Sequence, residues 1–182
     1  MAVPVCILIR SAPRHPGRPL RFITRMKRHD FKIMADYYQF YLADNEVEPE
    51  IPEDGTDEDV QARLKVAPHI MVVYPVRNMP VPVAVEFHDS EPITDAAVWD
   101  HIAECSLEVP SGRIVIAGCT DYLPDCARLG TVPGTYRARV HYGALGKLSA
   151  DGLDGDDHYL ITFWPAPASE LRVTKRYVQP GA

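Results

Sequence analysis

Apolar and polar positions alternate with period 2 in several short runs, and the clearest lies late in the chain. Over residues 134–142, Tyr136, Ala138, Val140 and Tyr142 fall on one side of an extended segment and Arg137, Arg139 and His141 on the other, which predicts a strand with one face on a core. Residues 159–164 are apolar on both sides, with Tyr159, Ile161 and Phe163 opposite Leu160, Thr162 and Trp164. That predicts a more deeply buried strand, ended by Pro165. Between the two runs, residues 143–157 carry four glycines and Asp-Gly pairs, a connection longer than an ordinary hairpin loop.

Upstream the same reading yields further strands. The aromatic-rich stretch 31–42 predicts one buried first strand, residues 60–66 a short one, and 69–74 a stronger one closed by Pro75. In 81–87, Val81, Val83, Val85 and Phe87 alternate with Pro82, Ala84 and Glu86, and Pro82 suggests a sheet edge. Thr94 or Asp95 begins a short helical turn. From 101 the alternation puts Ala103, Cys105, Leu107 and Val109 inward and Glu104, Ser106 and Glu108 outward; Pro110-Ser111-Gly112 then turns into 113–117 as a hairpin. Residues 122–129 look irregular, and 171–178 supply a last strand. About eight short strands separated by Pro/Gly turns predict a mainly β fold, an antiparallel β-sandwich with a β-barrel as the alternative.

Composition sharpens this picture. Seventeen prolines in 182 residues argue against long helices, and the length suits one core. Residues 1–29 hold seven bases, no acid and Pro13, Pro16 and Pro19, so they read as an extended basic arm, with 30–182 as a single domain. The formal net charge is −6, and because those seven bases precede Asp30, the remainder of the chain stands seven units lower, at −13. Electrostatics therefore argue against a nucleic-acid-binding role for the globular part. No apolar run is long enough to span a bilayer. The apolar start lacks a basic lead and is broken by Pro4, and the four cysteines show no C-x-x-C spacing, so a reduced cytoplasmic protein is expected.

Two stretches carry candidate chemistry. Residues 44–59 hold nine acids in sixteen positions. Such a run is either a solvated loop or a patch complementary to a basic protein, with Glu50, Glu53, Asp54 and Asp57 as contacts. The late loop offers Asp151, Asp154, Asp156 and Asp157 within seven residues, and Asp154, Asp156, Asp157 and His158 form a candidate site for a divalent cation such as Ca²⁺. The spacing is not that of an EF-hand. In the alternative, these residues cap turns and pair with Arg137 or Arg139 without any cofactor.

Other arrangements fall short of a reaction. His101 and Cys105 share a strand face but lie roughly 13 Å apart along it, too far for one Zn²⁺. Cys119 and Cys126, flanking Asp121 and Tyr122, are a redox pair or two small hydrophobes. Ser111 has no G-x-S-x-G elbow around it, and neither a phosphate-binding glycine loop nor H-E-x-x-H occurs. No catalytic residue is assigned.

Tyr37 to Phe40, the block Gly134 to Val140 and the block Asp156 to Pro165 resemble an uncharacterised group of bacterial proteins with similarity to the competence protein J family, which includes a nuclease inhibitor. The resemblance spans about residues 31–165 and implies a bacterial, cytosolic, nonenzymatic β protein. It transfers no binding residue, and the basic arm departs from the pattern. The expected function is an inhibitor or immunity-type binding module that recognises a basic protein through an acidic surface. The alternative is a metal- or small-ligand-binding sandwich with its site on the 143–158 loop.

Overall fold

The computed structural model describes residues 27–47 and 56–178. Most of the basic arm, and Glu50, Glu53 and Asp54, lie outside the described residues. The strands are β1 (Lys27–Met34), β2 (Phe40–Asp44), β3 (Leu64–Ala67), β4 (Ile70–Val73), β5 (Pro80–Phe87), β6 (His101–Val109), β7 (Arg113–Gly118), β8 (Ala127–Gly130), β9 (Gly134–Gly143), β10 (His158–Pro165) and β11 (Arg172–Lys175), with one helix, α1 (Asp57–Ala62). They form a β-sandwich: a six-stranded sheet ordered β1-β5-β10-β9-β6-β11 and a five-stranded sheet ordered β3-β4-β2-β7-β8. Pairing is antiparallel except between β5 and β10.

The period-2 pattern accounts for the interior. Tyr136, Ala138, Val140 and Tyr142 of β9, Ala103, Cys105 and Leu107 of β6 and Val81, Val83 and Val85 of β5 meet Phe40, Leu42, Ile114 and Ile116 of the other sheet in one apolar cluster. Desolvation pushes the Cys105 thiol up to about 12, so it is a buried small hydrophobe and not a nucleophile. Cys119 and Cys126 are free thiols.

Several expected boundaries move, each for a local reason. The run 31–42 is two strands in different sheets, because the chain turns at Asp36–Tyr38 with Tyr37 and Tyr38 both at positive φ. The segments around 110–112 do not close a hairpin. β6 belongs to the larger sheet and β7 to the smaller, and Gly112 (φ +69°) carries the crossing where an added Cβ would stand 2.8 Å from the Thr131 carbonyl. Pro82 does not mark an edge: β5 lies between β1 and β10, but the β10 register begins only at Val83, so the missing N–H falls beyond that pairing. Residues 60–62 are helical, since Thr56 and Asp59 form a reciprocal capping box ahead of them. The irregular 122–129 stretch ends in β8, and the last strand is shorter than expected.

The face of β9 that bears Arg137, Arg139 and His141 is not open to water. It is covered by residues 88–100 and 166–172, and all three side chains are buried. Glu104, read as outward, is 1% exposed and accepts hydrogen bonds from Arg137, Arg139 and Arg172. Asp44 is also buried. At the end of β2 it accepts the backbone N–H groups of Glu46, Val47 and Ser111 and so braces the crossing between the sheets; desolvation acts against its charge, but those donors hold its carboxyl below the usual range.

Candidate functional site

Strand register decides which loops share an end. Met34 pairs with Pro80, Val83 with Tyr159 in parallel, His158 with Gly143, and Tyr142 with His101, so the loops after β1, before β5 and between β9 and β10 leave the larger sheet at one end. In the smaller sheet Phe40 pairs with Gly118 and Val73, and Val73 with Leu64, which puts the start of β2, the loop after β7 and the C-terminus of α1 together. Cross-links between the sheets show these are the same end of the sandwich. Tyr142 donates its hydroxyl to the Arg63 carbonyl, and Tyr159 accepts from the Val76 N–H (3.0 Å). The His101 ring stands 2.9 Å from the Ala62 carbonyl.

The consequence is electrostatic. Asp57 and Glu58 on α1, Asp121 and Asp125 after β7, and Asp151, Asp154 and Asp156 before β10 are all exposed at this end. Two stretches that are about a hundred residues apart in sequence, the Asp57–Glu58 end of the acidic run and the late loop, thus lie at the same end of the sandwich, whereas Asp44, where the run begins, lies at the opposite end of β2. Asp57 is the member of the expected partner contact that the described residues include. Among basic groups here, Arg77 is buried and neutralised by Asp157, Lys65 pairs with Asp59 at 3.2 Å, the Arg63 guanidinium lies over the Tyr177 ring (5.9 Å to the centroid), and Lys147 is exposed on the late loop.

The late loop is ordered by its own polar groups. Ser149 donates to Asp151 (2.6 Å) and accepts from the Asp154 N–H (2.9 Å), while Arg77 also donates to the Leu153 carbonyl (2.9 Å). Asp157 is fully buried, taking hydrogen bonds from Arg77 and the Tyr159 hydroxyl (2.8 Å); its ion pair is with Arg77 and not with Arg137 or Arg139. Asp154, Asp156 and His158 are exposed, with the His158 ring against Trp99 (centroids 5.5 Å). Among the described residues no three His, Cys, Asp or Glu side chains group together as a metal cluster.

Sequence reasoning placed the tyrosines of this end in a buried strand and an irregular stretch. Tyr37 (74% exposed), Tyr38 (54%) and Tyr122 (72%) stand in solvent on the adjoining 36–38 and 119–125 loops. Thr120 donates to Asp36, the Cys119 thiol to the Asp36 carbonyl (3.2 Å), the Tyr37 N–H to Asn78 (3.1 Å) and the Gly118 N–H to Asp121 (2.8 Å). The available signal was Asp36, a carboxylate in the middle of the aromatic-rich run that the interior of a buried strand would not accommodate.

A second feature lies on the outer face of the larger sheet, a cleft of about 480 Å³ whose lining includes Ile93, Ile102, Glu104, Arg139 and Arg172. Its polar groups are largely satisfied internally: Arg139 donates to Glu104, Glu91, Thr94 and the Pro92 carbonyl, and its guanidinium lies 4.8 Å from the Trp164 ring centroid.

Fold and site together define a two-sheet β-sandwich with exposed carboxylates and tyrosines at one end. Two solved structures share the fold. One is ComJ from Bacillus subtilis, described as an inhibitor of the DNA degrading activity of NucA, with a TM-score of 0.59 and 16% identity over 79% of this chain and 99% of that one. The other is described as crocagin biosynthetic gene J, with a TM-score of 0.54 and 19% identity over the same shares. No protein-family model matches the chain, and no curated protein does. In fold, the resemblance read from the strand-end blocks therefore holds. Among the described residues no helix is long and apolar enough to cross a membrane.

Proposed function

We propose that this protein is a nonenzymatic binding module of the inhibitor type, and that it captures a basic protein at its acidic end, with Glu50, Glu53, Asp54 and Asp57 among the contacts. The observation that carries this reading is the convergence of exposed carboxylates from α1, the 119–125 loop and the 151–156 loop at one end of the sandwich. Carboxylates arrayed in this way attract a cationic surface over a Debye length, raise the encounter rate and reject acidic partners. The fold shared with ComJ supports an inhibitor role, since that protein acts by restraining another.

The test begins by retaining partners on the tagged protein from lysate of its own cells, eluting with salt and purifying the most basic species. Association of that species is expected to slow with rising salt. The reversal Asp57→Lys/Asp121→Lys/Asp125→Lys/Asp154→Lys is expected to slow it by about tenfold or more at low salt. Equal association rates for the parent and reversed proteins would remove the proposal. If the partner degrades DNA, adding the parent protein should suppress that activity in proportion to occupancy.

The alternative, a cation held by Asp154, Asp156, Asp157 and His158, makes a separate prediction. A cation bound only by the folded state raises the melting temperature, so a rise with Ca²⁺ that Asp154→Asn/Asp156→Asn abolishes would favour it.

A further inference from the structure

We infer that the tyrosine-bearing loops of the acidic end form a receptor for arginine side chains, so that the partner is recognised by guanidinium groups and not by positive charge alone. The inference rests on the proposed capture of a basic protein and specifies its chemistry. Tyr37, Tyr38 and Tyr122 are large, amphipathic and exposed, an arrangement that a solvated loop does not require. Tyr37 and Tyr38 moreover occupy the left-handed region in succession (φ 56° and 57°), a strained conformation for a bulky residue that glycine or asparagine would adopt more easily. The hydrogen bonds from Thr120, Cys119 and the Tyr37 N–H hold that turn in place.

Charge complementarity selects the occupant. Asp36, Asp121 and Asp125 lie on the same two loops as the rings. Arg128, the guanidinium that bonds this loop, is engaged by the Pro124 and Cys126 carbonyls and by Asn45. A planar, weakly hydrated guanidinium can stack on a tyrosine face and present two N–H groups to a carboxylate at once. An ammonium is a strongly hydrated point charge and gains less from the same surface. Loops that carry both ring faces and carboxylates therefore discriminate arginine from lysine, whereas the carboxylates of α1 and the late loop respond to either.

The full chain, labelled with ¹⁵N, would be titrated with an octa-arginine and an octa-lysine peptide of equal charge. The expected result is a preference for the arginine peptide of about two- to fivefold, with the largest amide shifts at residues 36–38 and 119–125. The triple substitution Tyr37→Ala/Tyr38→Ala/Tyr122→Ala should erase the preference, and Tyr→Phe at the same positions should keep it, because the ring face is retained. Single substitution of the exposed Tyr122 provides the same comparison without touching the strained turn. Equal affinity for the two peptides, with shifts centred on α1 and residues 151–156, would overturn the arginine receptor while leaving the acidic-end reading standing. Binding of neither peptide would overturn both.

Discussion

Replacing Glu104 by alanine is expected to lower stability by roughly 3–5 kcal/mol, the scale for removing one partner of a buried ion pair. Arg137 and Arg139 are 6% and 7% exposed, and both donate to this carboxylate, as does the more exposed Arg172. Burial alone would raise the Glu104 pKa, but hydrogen bonds from Arg139, Arg172 and Arg137 hold it below its ordinary value, so the group is charged and compensates the cations beside it. With it gone, Arg137 keeps Ser106 and the Ser169 and Glu170 carbonyls, but no carboxylate. Glu104→Gln retains one acceptor oxygen and should cost less. Urea unfolding of the two variants measures the difference. A loss below about 1 kcal/mol for Glu104→Ala would mean that water reaches the guanidinium groups.

The second large effect is acid sensitivity that begins unusually early. His101 and His141 are 1% and 2% exposed, and desolvation lowers both to about 4 despite hydrogen bonds to backbone carbonyls. Their partners require neutral rings. Nε2 of His101 donates to the Ala62 carbonyl while Nδ1 accepts from the Tyr177 N–H. At His141, Nδ1 donates to the Leu160 carbonyl, and Nε2 accepts from Thr94, whose hydroxyl oxygen is itself an acceptor for Arg139. A second N–H proton on either ring meets a donor. The unfolded chain takes up protons on both imidazoles below about pH 6.5, and the folded chain refuses them until about pH 4. Stability is therefore fully present above pH 6.5 and is lost as the pH falls from 6.5 to 4, by about 1.4 kcal/mol per pH unit for each histidine. The depressed carboxylates of Asp44 and Glu104 add their own loss only below their unfolded values near 4. Melting temperatures between pH 7 and 4 should show this early decline, and His141→Gln should remove about half of its slope. A flat profile down to pH 4.5 would refute the assignment.

Much of the fold was legible in the sequence because one-sided burial leaves a period-2 trace. β9 follows from its alternation, β10 from its two-sided apolar run closed by Pro165, and the short turn after Asp95 from its cap. What the alternation could not convey is which sheet a strand joins. Pro110-Ser111-Gly112 has the composition of a hairpin turn, and only the packing of Gly112 against Thr131 and Pro133 reveals a crossing between layers. Polarity was an equally poor guide to exposure. Arg137, Arg139, His141 and Glu104 look like a solvent face one residue at a time, yet together they neutralise one another and lie under the 88–100 and 166–172 segments. The acidic run and the late loop were each visible as candidates. That the Asp57–Glu58 end of the run meets the loop at one end of the sandwich depends on long-range register, for which a single chain read in order contains no direct signal.

The larger sheet is joined from two groups of strands that are made far apart in time. β1 and β5 pair early in the chain and β6, β9, β10 and β11 late, and the two groups meet along a single seam, the parallel contact of β5 with β10. Residues 88–157 must be synthesised before that seam can close. Until then the β5 edge that will receive β10 has no permanent neighbour, and the nascent domain presents a row of unpaired backbone groups to other chains. Closing so distant a contact also places folding in the slow range typical of nonlocal β topologies. Yield in the cell is thus tied to how long the first half must wait for the second.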